Sequence, residues 1–180
     1  MKLIAKLIVI DVETTGLDPA RHGLAAVAAL DMDDGQLFYS AVRPHRGADV
    51  SDEALAVNGL SREALLIAPT EEQVMSALAR WLSARAPFLP AGVNPRFDIE
   101  FLRVAEARTG VTLGLPWRAL DLAQVALVAH LRGQIALPDR NGLPGMSLDA
   151  IAQALGLQRP AVHRADQDVR LTADCLRKLL

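Results

Sequence analysis

Four carboxylates and one imidazole, spread over three short motifs, are the side chains of this sequence best suited to chemistry. They are Asp11 and Glu13 in IVIDVETTGL, Asp98 in VNPRFDIEFL, and His163 with Asp168 in VHRADQDVRL. Clustered carboxylates can hold two divalent cations, and a nearby imidazole can take a proton from water. Together, these side chains predict a site that binds divalent cations and activates water for hydrolysis.

The first pair of carboxylates is predicted to lie on a buried strand. The residues before TTG are mostly apolar and β-branched, so we predict a central strand over about 4–13. Side chains alternate along a strand, which puts Asp11 and Glu13 on one face, about 7 Å apart. Two carboxylates this close are costly to bury unless a cation or hydrogen bonds neutralise them. If the strand instead ends at residue 10, both acids lie in a solvated loop, and the pair alone does not decide between these alternatives.

The last motif joins a histidine to a helix. Residues 164–180 carry apolar side chains at helical spacing, which predicts an amphipathic helix. Asp168 lies more than a turn inside this helix and His163 lies just before it. The aspartate can therefore hold a metal while the imidazole reaches the same site. The alternative is a surface histidine and a solvated aspartate, which is the usual position of both residue types.

The remaining elements must bring these motifs together. A short strand over 87–93 is predicted to deliver Asn94 and Asp98 to its carboxyl end, where sites in such sheets tend to lie. Two further strands, 24–31 and 36–43, flank a hairpin turn. Helices are predicted over 51–57, 61–66, from residue 71, 98–109, 118–132 and 148–155, with a long loop over 133–146. Three meandering strands followed by alternating helices and strands predict an α/β domain.

The three motifs resemble those of a known enzyme class. Asp-x-Glu-Thr-Thr-Gly, then Asn-x-x-Phe-Asp, then a histidine five residues before an aspartate, are the signatures of the DEDDh 3′–5′ exonucleases. That superfamily includes the proofreading subunit of bacterial DNA polymerase III and RNase T. Further segments, 57–61, 121–123 and 147–151, also resemble the family, so the resemblance covers nearly the whole chain.

The resemblance implies a fold and a chemistry. The fold would be RNase H-like, with a mixed five-stranded sheet flanked by helices. Asp11, Glu13, Asp98 and Asp168 would bind two Mg²⁺ or Mn²⁺ ions, and His163 would be the general base. The reaction would release nucleoside 5′-monophosphates from the 3′ ends of single-stranded DNA.

The resemblance also implies a substrate site. The terminal nucleotide would be cradled by backbone N–H groups and wedged by one apolar side chain, all supplied by Thr14, Thr15, Gly16 and Leu17. Phe97 is expected to pack beneath the site rather than stack on a base. Asn94 either hydrogen-bonds near the site or holds the strand-to-helix turn.

Three positions depart from the family pattern. Val93 stands where a histidine is common, and Asn58 stands in the usual His-Gly turn. The segment 24–30 has no glutamate, although the family commonly carries one in its second strand. None of these departures touches the four carboxylates or His163, so they concern the substrate in detail rather than the reaction.

Composition limits the class of protein. A chain of 180 residues that is 51% hydrophobic and 22% charged predicts a single globular domain over 1–180. The single cysteine, Cys175, is expected to be a small buried side chain in a reducing cytoplasm. No apolar run is long enough for a membrane span, and Lys6 interrupts a candidate signal peptide too early. The net charge of −2 argues against a protein that coats nucleic acid but fits one that grips only a 3′ end.

Two other functions remain open at this stage. A catalytically silent nucleic-acid-binding domain of the same fold would have lost a carboxylate, and none is lost. A 3′–5′ exoribonuclease that trims RNA ends is not distinguished by sequence, since backbone atoms can contact a 2′-hydroxyl. The chain ends just after the last helix, without a tail for docking. We therefore expect a stand-alone exonuclease or a catalytic fragment, with a polymerase as a possible partner.

Overall fold

The computed structural model describes residues 5–158 and 164–180, and its centre is a mixed five-stranded sheet. The strand order is β3-β2-β1-β4-β5, with β1 antiparallel to β2 and parallel to β4. The strands are β1 (Lys6–Thr14), β2 (Leu24–Asp31), β3 (Leu37–Ala41), β4 (Phe88–Gly92) and β5 (Leu120–Asp121). The predicted α/β class and the mixed five-stranded sheet are confirmed.

Helices cover both faces of the sheet. They are α1 (Asp52–Asn58), α2 (Arg62–Ile67), α3 (Glu71–Ser83), α4 (Pro95–Thr109), α5 (Leu122–Leu131), α6 (Leu148–Ala154) and α7 (Ala165–Leu179). The predicted start of α4 at residue 98 is wrong by three residues, because Pro95 occupies the first turn, where a missing N–H costs nothing. The predicted start of α5 at residue 118 is also wrong. Leu120 and Asp121 pair with β4, and the Asp121 side chain then caps α5 by accepting the Ala123 N–H.

The segment predicted as a long loop, 133–146, contains a short hairpin. Its strands are β6 (Asp139–Arg140) and β7 (Leu143–Pro144). Asn141 and Gly142 both adopt positive φ, 58° and 82°, as a two-residue hairpin turn requires. The Asn-Gly pair was therefore a sequence signal for this turn that the loop prediction missed.

Two apolar layers, one on each side of the sheet, decide where the β1 carboxylates point. Ile8, Ile10 and Val12 belong to the layer that contains α3 and α4, whereas Val9 packs with α6 and α7. Since side chains alternate along a strand, Asp11 and Glu13 share the face of Val9. The central strand thus presents its acids toward α7.

A register shift follows Glu13 directly. Glu13 pairs with Ala26, but Thr14 pairs with Leu24, so Ala25 is an extra residue on β2. Ala25 is fully buried and packs with Leu55 of α1 and Leu65 of α2. This bulge ends the regular ladder where the carboxylates end and the TTG segment begins.

Two further side chains contribute to these apolar layers. Cys175 is fully buried, as expected, and burial raises the pKa of its thiol to about 11. Trp81 is half-buried against the α3–α4 layer, with the Arg85 guanidinium 3.6 Å from its ring centroid.

Within the described ranges, no helix is both long and apolar enough to cross a membrane. The cytoplasmic location stays a prediction.

Candidate metal centre and flanking cleft

Three of the four predicted carboxylates meet at the end of β1. Asp11 and Glu13 come from β1 and Asp168 from the first turn of α7. One carboxylate oxygen of each lies within 4.8 Å of the others. Asp168 is only 6% exposed, so this negative charge is concentrated in a partly desolvated place, where a cation would relieve the repulsion.

Asp98 approaches the same place from α4. Its Oδ1 accepts the Val12 N–H at 2.9 Å, between the two β1 acids, and the side chain is 5% exposed. Burial raises the pKa of Asp98 to about 7, against the opposing effect of hydrogen bonds from the Val12 and Asp98 backbone, and the charge of Glu13 raises it further. Asp98 thus anchors α4 to β1 as well as adding a fourth carboxyl group.

All four carboxyl groups line one cavity of about 270 Å³. Asp98 is not within the tight group formed by the other three, but it lies on the wall of the same cavity. The other lining residues are Val12, Val57, Asn58, Val93, Asn94, Phe97, Leu148 and Thr172. His163 lies outside the described residues, so its predicted role as the base stays a prediction.

A second cavity of about 570 Å³ adjoins the first and has the size of a small-ligand site. The two share Glu13, Val57 and Phe97 among their lining residues. Thr14, Gly16 and Leu17, three of the four residues predicted to hold a nucleotide, also line it. Leu17 is 83% exposed, so its apolar side chain is available to a ligand.

Thr15 does not line either of these two cavities, and its expected role in holding a nucleotide stays a prediction. Its side chain is fully buried. Its N–H donates a hydrogen bond to the Gly23 carbonyl at 2.9 Å, and its hydroxyl donates one to the Asp49 carbonyl at 2.6 Å. The hydroxyl also accepts the Gly23 N–H. The N–H and the hydroxyl of Thr15 are thus hydrogen-bonded within the protein, and these bonds fix the wall of the cleft.

The two asparagines of the site have different surroundings. Asn58 is buried and its Nδ2 donates to the Thr14 carbonyl at 3.0 Å, which ties the end of α1 to the end of β1. Asn94 is exposed at φ 52°, and its backbone N–H donates to Asp121 Oδ1 at 3.1 Å. Its backbone therefore holds the strand-to-helix turn while the residue borders the metal cavity. Phe97 packs on Phe101, with ring centroids 5.0 Å apart, and also borders both cavities.

Two residues of the cleft were missed by sequence reasoning. Glu53, in the first turn of α1, borders the cavity of about 570 Å³. A hydrogen bond from the Ser51 hydroxyl, 2.6 Å long, holds the pKa of Glu53 below its usual range, which keeps the carboxylate charged. His22 borders the same cavity, brought there by the turn in which its N–H donates to the Asp18 carbonyl. Nothing in the spacing of either residue pointed to the cleft.

Gly16 is required by the close approach of His22. A methyl group built on Gly16 would overlap the imidazole ring. We expect Gly16→Ala to lower the unfolding temperature by about 2–10 °C, since overpacking costs roughly 1–3 kcal/mol. Thermal unfolding of this variant, of His22→Ala and of the double variant checks the cause. The loss should nearly vanish in the His22→Ala background, and an equal loss in both backgrounds would contradict the overlap.

The largest described cavity, about 760 Å³, lies elsewhere. It is formed by the segment 43–50, α2 and the facing ends of α3 and α4, and none of the predicted site residues lines it. The carboxylate cluster therefore belongs to the two smaller cavities.

Comparisons with known proteins find several that this chain resembles. Residues 8–176 match the RNase T family, described as "Exonuclease". The PolC-type DNA polymerase III of Thermotoga petrophila is 27% identical over 172 residues, which are 94% of this chain but 11% of that protein. The DNA polymerase III subunit epsilon of Aquifex aeolicus is 27% identical over 176 residues, 96% of this chain and 79% of that protein.

Solved structures give the same fold. Exonuclease I of E. coli, crystallised with a dT13 oligonucleotide, superposes with a TM-score of 0.84 at 22% identity. The match covers 97% of this chain and 40% of exonuclease I. The chain therefore spans less than half of that protein, and the likeness concerns the fold, which confirms the predicted RNase H-like architecture.

Proposed function

Because this chain belongs to the RNase T family of exonucleases, the DEDDh-type 3′–5′ enzymes, we propose that it removes nucleoside 5′-monophosphates from the 3′ ends of single-stranded DNA. The observation that carries the proposal is the meeting of Asp11, Glu13 and Asp168, with oxygens within 4.8 Å, beside a cleft of nucleotide size. Asp98 completes the acidic set on the wall of the same cavity.

The donor set fits two hard divalent cations, Mg²⁺ or Mn²⁺. All four side chains offer carboxylate oxygens, the ligands that these ions prefer, and the pKa of Asp98 is raised by burial and by Glu13. Such ions, when bound, lower the pKa of water and stabilise the charge that develops on the phosphate. The protein's own contribution is to hold Asp11, Glu13, Asp98 and Asp168 in place, with Asp98 fixed by the Val12 N–H.

His163 is the proposed general base. An imidazole with an ordinary pKa of about 6.5 can accept a proton from water near neutral pH. In the sequence, His163 directly precedes Arg164, the N-cap of α7, and α7 carries Asp168 in its first turn. The proton acceptor and a metal ligand therefore belong to neighbouring positions of the chain.

The cavity of about 570 Å³ beside the carboxylates is the proposed site of the terminal nucleotide. Thr14 and Gly16 form its wall, and exposed Leu17 supplies an apolar surface for the sugar or base. The charged Glu53 carboxylate borders the same space and can accept a hydrogen bond from the terminal hydroxyl. A strand with a free 3′ end satisfies this acceptor, which gives a physical reason for attack from the end.

DNA is favoured over RNA by what the relatives are. One is named as a PolC-type DNA polymerase III and another as the epsilon subunit of DNA polymerase III, and the superposed exonuclease I was crystallised with a dT13 oligonucleotide. The same names make a replicative polymerase a candidate partner. We further propose that residues 1–180 act as one exonuclease domain.

The proposal predicts a defined product. With Mg²⁺ or Mn²⁺, single-stranded DNA labelled at its 5′ end should shorten stepwise from the 3′ end and release 5′-mononucleotides, and EDTA should stop the reaction. The assay is run in parallel on 3′-labelled DNA and on RNA of the same sequence. Internal cleavage, or loss of the 5′ label first, would overturn the proposal, whereas faster hydrolysis of RNA would favour an exoribonuclease.

A further inference from the structure

Trp117 is an aromatic side chain that the fold leaves unused. It is 92% exposed, whereas the other tryptophan, Trp81, packs against Phe38 and Arg85. An indole in water forgoes the stabilisation that burial would give. Its flat face is also a platform on which a nucleic-acid base can stack.

The loop that carries Trp117 is held in place. It joins α4 to β5, and its Leu113 and Leu115 side chains are buried. The Arg103 guanidinium donates to the carbonyls of Leu115 and Pro116 at 3.3 and 3.5 Å. Trp117 therefore projects from a backbone that is fixed before any ligand arrives, which lowers the entropic cost of binding.

Exposed arginines lie on the loop of this indole and on the helix before it. Arg118 follows it directly, and Arg96 and Arg103 lie two turns apart on α4; all three are exposed. Exposed Glu100 lies between the two helical arginines. Across residues 5–158 and 164–180, no ion-pair partner lies within 4 Å of Arg96 or Arg118. In a chain of net charge −2, this local excess of positive charge suits the phosphates of a strand.

The Trp–Arg patch, defined as Arg96, Arg103, Trp117 and Arg118, lies close along the chain to residues at the metal cavity. Arg96 is two residues after Asn94, which lines that cavity. Asp121, whose Oδ1 accepts the Asn94 N–H, is four residues after Trp117. Four residues of extended chain span at most about 14 Å. The patch is therefore within reach of the nucleotides adjacent to the one being removed.

We propose that the Trp–Arg patch binds the single strand on the 5′ side of the terminal nucleotide, with a base stacked on Trp117 and phosphates contacted by Arg96 and Arg118. The inference rests on the proposed function, because it concerns the upstream part of the same substrate. It makes binding dependent on strand length: a dinucleotide ends before the patch, whereas a longer strand reaches it.

The first test is fluorescence, which needs no turnover. In a Trp81→Phe variant the only indole is Trp117, so its emission reports on the patch alone. In EDTA, an oligo(dT) of about twelve residues should quench this emission saturably, and a dinucleotide should not. An unchanged emission at saturating oligonucleotide overturns the proposal. Quenching in a protein that hydrolyses nothing would retain the patch and reject the proposed exonuclease function instead.

The second test is kinetic. Trp117→Ala should raise KM for the twelve-residue strand by about 5- to 100-fold, with kcat and dinucleotide hydrolysis unchanged. Arg118→Ala should weaken binding of the long strand and reduce the slope of its salt dependence by about one. Arg80→Ala, which removes an exposed arginine of α3, is the matched control and should change neither. Equal KM values for wild type and Trp117→Ala, or capture of the indole by an apolar protein surface with no response to DNA, would contradict the assignment.

Discussion

Replacing His163 with alanine is expected to slow hydrolysis by about 10²–10⁴, the range typical for loss of a general base. The acidic limb of the pH–rate profile should flatten as well, because that limb reports the protonation of the imidazole. Since His163 is not one of the carboxylates that would hold the ions, the variant should still gain thermal stability when Mg²⁺ or Mn²⁺ is added.

The measurements are single-turnover rates across pH 5–9 and thermal unfolding with and without cation. His45→Ala is a matched control, since His45 lies on the wall of the largest cavity, away from the carboxylates. An unchanged rate at neutral pH would show that the cations alone activate the water. A loss of the cation-induced stabilisation would show that His163 is a ligand or a structural support.

Asp98→Asn is expected to have the second large effect, on thermal stability. The substitution should stabilise the metal-free protein at pH 8 but reduce the stability that added cations provide. The asparagine Oδ1 can still accept the Val12 N–H that Asp98 accepts at 2.9 Å, so the anchor between α4 and β1 is kept. The charge is lost. In the wild type, a cation at about 100 times its dissociation constant should raise the unfolding temperature by roughly 5–10 °C, and this rise should shrink in the variant together with activity.

The pH dependence follows from the pKa of Asp98, which is raised from 3.8 to about 7 in the folded protein. A carboxyl group with a raised pKa binds its proton more tightly in the folded state than in the unfolded state. Its contribution therefore favours folding at low pH and is lost as pH rises from about 4 to 7. Without metal, Asp98→Asn should consequently be more stable than the wild type at pH 8 and should differ little at pH 4.

Thermal unfolding at both pH values, with and without Mg²⁺, checks this prediction. Asp174→Asn is the matched control, because Asp174 is an exposed carboxylate of α7 that pairs with Arg177. An Asp98→Asn variant that is less stable than the wild type at pH 8 in EDTA would mean that the carboxylate is fully compensated by its hydrogen bonds.

Part of the arrangement of the carboxylates follows from strand periodicity, and part follows only from the family resemblance. Strand alternation is local, so the common face of Asp11 and Glu13 could be read directly from the sequence. The meeting of these two with Asp168 is not local, and only the resemblance predicted it. The hydrogen bond from the Val12 N–H to Asp98 was not predictable, since it depends on where α4 docks on the sheet.

The misses have physical causes of the same kind. The hydrogen bonds of Thr15 go to Gly23 and Asp49, which are distant in sequence, so no local pattern could show them. His22 reaches Gly16 only through the turn that starts at Asp18. The start of α5 moved because pairing with β4 outweighed the helical propensity of the preceding residues.

The bulge at Ala25 separates the part of β1 that carries the carboxylates from the part that leads into the cleft wall. Before it, the ladder of β1 and β2 is regular and carries Asp11 and Glu13; after it, Thr14 pairs out of register and the chain leaves to form the cleft wall. Ala25 packs against Leu55 of α1 and Leu65 of α2. The cleft wall therefore has an apolar cluster of its own, separate from the two main layers of the core. Changes of sequence at Leu17 and Glu53, which line the cleft but not the metal cavity, are thus expected to alter which strand ends the cleft accepts without moving the four carboxylates. The fold is in this respect modular, and a library that varies only those positions should yield altered substrate preference at constant metal affinity.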